Sequence, residues 1–196
     1  GLDYKSDGLY MDSEGNIGSN HKYFREGLER LAKAQRKLSR MMEDNIAGYR
    51  TGPKGGRVPV YKRPLSECKN IQKQKLKVAK VYRHIANQRL DNLHKLSTEI
   101  ANRYDVVCVE SLDMKAMSNK GFGNGKATLD NGYGLFLSML EYKLSDRGRY
   151  FVKVDKWYPS SQICNNCGTI HKLQLSERTY RCPDCGAVID RDLNAA

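Results

Sequence analysis

Val106-Val107-Cys108-Val109-Glu110 is a run of four apolar residues closed by an acid. A run this short and this rich in β-branched residues reads as a strand. Its lack of polar alternation reads as burial on both faces, and so as a central place in a sheet. Glu110 is the odd member, because a carboxylate at the end of a buried strand is costly unless something positive meets it.

Working outward, the next segments alternate. Residues 118–134 hold five Gly and three Asn and read as a mobile loop. Leu135–Arg147 has helical spacing, with Gly148 as the residue that ends it. Tyr150–Asp155 alternates aromatic and β-branched residues with Lys and reads as a second strand. On the N-terminal side, Gly1–Tyr4 reads as extended. Gly8–Asp12 follows as a strand, Ser13-Glu14-Gly15-Asn16 as a hairpin turn, and Ile17 as part of a returning strand. Residues 23–45 and 66–102 carry apolar stripes at helical spacing, with Ser66 placed to cap the second helix. Gly48–Pro64, with four Gly and three Pro, reads as a loop between them. The order is a mixed α/β frame interrupted by a helical hairpin.

The chain has 196 residues and carries 34 Lys and Arg against 22 Asp and Glu, for a net charge of +12. The excess is local. Residues 20–103 hold 21 of the basic and 7 of the acidic residues, a net of +14, and the rest is slightly acidic. A segment that repels itself this strongly fits a polyanion partner, whose counterions are released on binding. Lys69, Lys73, Lys77, Lys80 and Arg83 on the second helix are the candidate phosphate contacts. The plainer reading of any one such cluster is a solvated helix face. No apolar run of spanning length occurs, which excludes a membrane helix. No leader-like segment opens the chain, and Gly1-Leu2-Asp3 reads as the middle of a strand, so the expectation is a cytoplasmic piece of a longer protein.

Cys164-Asn-Asn-Cys167 and Cys182-Pro-Asp-Cys185 are two pairs separated by 14 residues, each followed by Gly (Gly168, Gly186). Two intervening residues let one tight turn present both sulfurs to one ion, so the four cysteines fit a tetrahedral structural zinc site within residues 157–189. Disulfides would need an oxidising compartment, and a redox pair would not come in duplicate. His171 fits a surface residue better than a ligand, and Cys68 and Cys108 read as plain thiols.

With the cysteine module and the basic insertion set aside, three acidic positions stand out: Asp3 on the first strand, Glu110, and Asp192 within Asp190-Arg191-Asp192-Leu193-Asn194. Three carboxylates from separate segments can hold two divalent ions for phosphodiester displacement. On spacing alone, a lysine partner for Glu110 and a capping role for Asp192 are the simpler account.

The elements Gly1-Leu2-Asp3, Val107–Leu112, the paired cysteines, Asp190–Ala196 and the stretch Lys80–Ser97 (KVYRHIANQRLDNLHKLS) occur in one order. Together they closely resemble the TnpB (OrfB) proteins of insertion sequences, relatives of the type V CRISPR effector nucleases. The resemblance covers essentially the whole chain. It implies an RNase H-like (RuvC) mixed sheet with a helical-hairpin insertion and an inserted four-cysteine zinc ribbon. The nuclease domain would comprise residues 1–156 and 190–196, with 20–103 as the basic insertion, 118–134 as a lid loop and 157–189 as the ribbon. Asp3, Glu110 and Asp192 match the family's catalytic acids, with Asp190 ranked second. Many relatives continue the first motif as Asp-Leu-Gly, where this chain has Asp3-Tyr4-Lys5. The family's activity is RNA-guided cleavage of DNA, with historical naming as transposases. The implied cofactors are structural Zn²⁺ and catalytic Mg²⁺ or Mn²⁺. The implied partners are DNA and, through the full-length protein, a guide RNA. Two other readings are a non-catalytic zinc-ribbon module that binds nucleic acid, and a DNA-joining transposase.

Overall fold

The computed structural model describes residues 1–19, 21–117, 130–174 and 176–196. They fall into two compact units, Tyr23–Arg89 and the combination of Gly1–Lys22 with Leu90–Ala196.

The larger unit is built on a four-stranded sheet in the order β2-β1-β5-β6, where β1 is Leu2–Tyr4, β2 Tyr10–Asp12, β5 Val106–Glu110 and β6 Tyr150–Val154. β1 and β2 run antiparallel. Beyond β2 the chain turns at Gly15, whose φ of 84° is open to glycine at little cost. β1 pairs with β5 and β5 with β6 in parallel. A parallel pair needs a crossover, and between β5 and β6 it includes the single turn α3 (Met114–Met117) and the longer α4 (Tyr133–Ser145). The glycine stop of α4 is as expected: Gly148 has φ 66° and Arg149 N–H bonds back to Leu144 O.

β5 is central in this sheet, but the expectation of burial on both faces is corrected. Val107 and Val109 are buried, Cys108 is half-buried and Val106 is exposed. One face alone carries the core. It gathers Leu93 and Ile100 from the long helix α2 (Lys69–Arg103), Phe136, Leu140 and Leu144 from α4, and Leu2 and Tyr10 from the first two strands. Each such side chain contributes about 1.5–3 kcal/mol by leaving water. Lys143 is also buried there. Its ammonium donates to Ser97 Oγ at 2.7 Å, Thr98 Oγ1 at 2.8 Å and His94 O at 2.8 Å. Burial still pulls its pKa down, with Arg147 adding to the shift. The opposite face, bearing Cys108 and Glu110, is left for the site.

The smaller unit contains α1 (Tyr23–Glu43), β3 (Ile46–Thr51), β4 (Arg57–Tyr61) and α2 as far as Arg89. The two helices are antiparallel, since contacts advance along one as they recede along the other. Gln74 Nε2 donates to Ala34 O at 2.9 Å, while a Cβ on Gly27 would lie 2.4 Å from Ile85 Cδ1. That close approach is what a glycine permits at this point.

Two local expectations are corrected here. The expected loop Gly48–Pro64 is a two-stranded antiparallel ribbon, Thr51 pairing with Arg57 around a turn with Gly55 at φ 76°. Its glycines mark the turn and the strand irregularity near Gly48 rather than disorder. Ser66 does not cap α2. The helix begins at Lys69, after a turn in which Glu67 N–H bonds Pro64 O.

Of the expected lid loop 118–134, residues 118–129 lie outside the described residues. Asp130, Asn131 and Tyr133 are buried, and Tyr133 opens α4.

Candidate active site and metal centre

Register brings the first two acids together. Leu2 pairs with Val109 on adjoining parallel strands, so Asp3 and Glu110 are the next residues on each. Successive side chains in a strand point to opposite faces. Leu2 and Val109 face the core, which turns Asp3 and Glu110 to the other side. A cleft of about 330 Å³ opens beside Glu110, lined by Cys108, Glu110, Ser160, Asn165 and Asn194 among others, but not by Asp3 or Asp192.

Asp192 arrives from the far end of the sequence on α5 (Arg191–Ala195). This short helix packs directly on β1, and a Cβ on Gly1 would fall 1.7 Å from Ala196 O. Asn194, buried, fixes the helix from the other side. Its Oδ1 accepts the Asn165 N–H at 3.0 Å and its Nδ2 donates to Ile163 O at 2.7 Å, beside the first cysteine pair.

Asp3 feels the other two carboxylates. Burial, followed by the charges of Glu110 and Asp192, pushes the Asp3 carboxyl up to about 7. Each of the others has a polar neighbour. Glu110 Oε1 accepts a hydrogen bond from Ser160 Oγ. Asp192 Oδ2 accepts from Lys5 Nζ at 2.8 Å, and this bond raises the lysine pKa. Among the described residues, only the four cysteines bring their ligand atoms within 4.8 Å of one another as a group; the carboxylates do not. Asp190 is exposed and caps α5, accepting the N–H groups of Asp192 at 2.9 Å and Leu193 at 3.2 Å. Asp12 is buried but satisfied. Burial raises its pKa, yet the side chain and N–H of Asn16 and the N–H of Glu14 outweigh it and leave the carboxyl below its usual range.

Three neighbours of this site were not singled out from sequence: Lys5, Ser160 and Tyr133. The Tyr133 hydroxyl is buried and has no hydrogen-bond partner among the described residues. Burial raises its pKa, and the charges of Asp3 and Glu110 add to it. Neither Ser160 nor Tyr133 lies in a quoted motif, so only the folded geometry reveals them.

The cysteine centre is made of two equivalent turns. Cys164 N–H bonds Thr169 O, and Gly168 N–H bonds Cys164 O. Cys182 N–H bonds Ala187 O, and Gly186 N–H bonds Cys182 O. Gly168 and Gly186 have φ of 78° and 74°, the left-handed region that glycine enters freely. The sulfurs of Cys164 and Cys185 lie 3.7 Å apart, and those of Cys167 and Cys182 3.5 Å. Hydrogen bonds from the Asn166 side chain and the Ala187 N–H draw the Cys185 thiol down to about 6. The N–H groups of Cys185 and Asp184 also act on Cys182, but burial and neighbouring thiols leave it up at about 11. Such a group can bind a metal ion such as zinc. His171 lies edge-on to Tyr180 at 6.4 Å and is not part of the group. Tyr180, on β7 (Thr179–Arg181) and paired with Ile189 of β8 (Val188–Asp190), forms the buried centre of the module.

In the smaller unit, Lys69, Lys73, Lys77, Lys80 and Arg83 are all exposed. At about 100° per residue they fall on one stripe of α2.

The family model "Cas12f1-like, TNB domain" matches residues 133–196, and the OrfB_IS605 model, described as "Probable transposase", matches residues 56–121. A protein of Streptomyces pristinaespiralis named "Putative RNA-guided DNA endonuclease" is 36% identical over all of this chain and 43% of its own length. InsQ of Escherichia coli (strain K12), "Putative RNA-guided DNA endonuclease InsQ", is 28% identical over all of this chain and 46% of its own length. The Cas12f1 chain of a Cas12f1–sgRNA–target DNA complex has a TM-score of 0.48 at 19% identity, over 72% of this chain and 42% of that one. The chain belongs to the TnpB (OrfB) family. It spans less than half the length of these two curated relatives.

Proposed function

We propose that this chain forms the RuvC-like, RNase H-like nuclease part of a transposon-encoded RNA-guided DNA endonuclease. In this reading Asp3, Glu110 and Asp192 are the catalytic acids. The observation that carries it is geometric: the pairing of Leu2 with Val109 sets Asp3 beside Glu110, and the helix bearing Asp192 packs on β1, so that burial and the charges of Glu110 and Asp192 push the Asp3 carboxyl up to about 7. A half-buried carboxyl that resists ionisation beside two other acids fits a site made to be neutralised by cations. Oxygen donors of this kind suit Mg²⁺ or Mn²⁺. Divalent ions bound there would supply a water nucleophile and neutralise charge on the cleaved phosphodiester.

The chain's own residues do the rest. β1 and β5 fix Asp3 and Glu110 through their register, and Ser160 orients the Glu110 carboxylate. Asn194 seats α5 so that Asp192 faces the same site. The four cysteines hold one zinc ion, and that ion stiffens the module to which Asn194 is tied. Lys69, Lys73, Lys77, Lys80 and Arg83 bind nucleic-acid phosphates, which supply the polyanion that the basic segment needs. DNA and a guide RNA are the partners.

The test is cleavage by the full-length protein carrying Asp3→Ala, Glu110→Gln or Asp192→Ala. Each should abolish cutting and leave nucleic-acid binding intact. Retained cutting by all three would place the chemistry elsewhere and favour the binding-module reading.

A further inference from the structure

Lys5 is a long cation two residues beyond Asp3, just past the end of β1, and its side chain is not spent on solvent. Its Nζ reaches Asp192 Oδ2 at 2.8 Å across 187 residues of sequence. Both side chains are 19% exposed, so water screens the pair only in part. The other oxygen of Asp192 has a second cation near it, Arg191 Nη2 at 3.9 Å. Of the two cations, only the lysine is within hydrogen-bond distance of the carboxylate, and only it is carried by the strand segment that also holds Asp3.

We propose that the Lys5 ammonium is a tethered counter-cation of the carboxylate site, which a divalent ion must displace from Asp192 in order to bind. This rests on the reading of Asp3, Glu110 and Asp192 as the ion-holding acids. The physical reason is that a divalent ion and an ammonium seek the same lone pairs at the same oxygen. One charge already sits there at contact distance, so occupancy of the site becomes an exchange rather than an addition. The tether makes the competitor intramolecular, at a fixed and high effective concentration. Lys5 therefore raises the concentration of divalent ion needed to load the site, and it leaves Asp192 when the site is loaded. Were Lys5 instead a clamp that aligns Asp192, its removal would loosen the acid and weaken ion binding. The two roles predict shifts of opposite sign.

Mn²⁺ binding to the full-length protein, followed by electron paramagnetic resonance, separates them without reference to cleavage. Lys5→Met keeps most of the length of the side chain and removes the charge, and should tighten Mn²⁺ binding about tenfold. Lys5→Arg should keep the wild-type affinity. Lys153→Met, which removes an exposed lysine paired with Glu141, controls for net charge and should leave the affinity unchanged. Quantitative amine acetylation read by mass spectrometry gives a second measure. Lys5 should be protected in the metal-free protein and become several-fold more reactive with Mg²⁺ present or in Asp192→Ala. Unchanged or weakened Mn²⁺ binding by Lys5→Met overturns the exchange role, as does Lys5 reactivity that ignores Mg²⁺. If the wild type shows no Mn²⁺ binding that Glu110→Gln and Asp192→Ala reduce, the metal-site reading falls, and the exchange role with it.

Discussion

The Asp190 carboxylate accepts the backbone N–H of Asp192 at 2.9 Å, so the first acid of the Asp-Arg-Asp motif holds the helix on which the second one stands. Asp190 itself ends β8 outside the helix, with φ −57° and ψ 137°, and its carboxylate serves the first turn. Asp190→Ala should therefore act through the cap, costing about 1 kcal/mol of local stability. Cleavage should fall only in part, and Asp190→Ser, which keeps a capping oxygen, should recover it. Asp192→Ala should be inactive with no such rescue. Cleavage assays on these three variants decide the point, and an inactive Asp190→Ser would make Asp190 a ligand rather than a cap.

Asp3 sets a pH dependence of definite sign. Its carboxyl is raised to about 7 from an ordinary value of 3.8, so the folded chain holds this proton more tightly than the unfolded one. The resulting stabilisation is fully present below about 3.8 and is lost as pH rises through about 7. It amounts to a few kcal/mol at most, because each tenfold change in proton affinity is worth about 1.4 kcal/mol and solvent screens part of it. Asp3→Asn, which cannot ionise, should raise the Tm at about pH 8 more than at about pH 5 when no divalent ion is added. Parallel melting curves for mutant and wild type across that range would show that Asp3 is not strained by its neighbours.

Asn194 and Asp192 share a five-residue helix, which ties the position of an acid to the cysteine module. Asn194→Ala would leave the Asn165 N–H and the Ile163 carbonyl unpaired, each at a cost of roughly 1–3 kcal/mol when buried. We expect cleavage to fall several-fold while zinc content stays near one ion per chain. Metal analysis beside a cleavage assay separates this from damage to the cysteine site. Loss of zinc in Asn194→Ala would mean that the residue supports the ribbon rather than the helix.

The cysteine site makes its own prediction. Zinc analysis of purified protein should return about one ion per chain. Cys182→Ser should release it and unfold residues 157–189, whose apolar centre is little more than Tyr180 and two cysteines. Melting of that module should respond to chelator in the wild type. A chelator-insensitive module, or disulfides between these cysteines, would exclude a zinc role.

What could be read in advance depended on the kind of signal. The cysteine turns were legible, because the ligand spacing and the two glycines state their own geometry. The central strand was legible in place but not in environment. Four apolar residues do not reveal that Cys108 and Val106 face away from the core, since that depends on what covers the second face. The ribbon at Ile46–Tyr61 was hidden because Gly and Pro mark a turn and a strand irregularity as readily as a loop. Lys5, Ser160 and Tyr133 gather around the acids only through tertiary structure. Of these, Lys5 alone left a trace in sequence, as a long side chain in place of the motif's glycine.

The stripe on α2 tests how the basic unit works. Lys69, Lys73, Lys77, Lys80 and Arg83 are exposed and share one side of the helix. If they neutralise phosphates, each contact releases counterions and adds about 0.9 to the slope of log K against log salt on duplex DNA. Replacing Lys73, Lys77 and Lys80 with Gln should then lower that slope by about 2–3 and weaken binding to all sequences alike. Contacts to base edges would instead change sequence preference and leave most of the slope in place. Filter binding of the full-length protein to two unrelated duplexes, at several salt concentrations, distinguishes the outcomes. An unchanged slope would mean that this stripe faces solvent, and that the charge of the unit is used on another surface, such as the ribbon where Arg57 lies 4.4 Å over the ring of the exposed Tyr49.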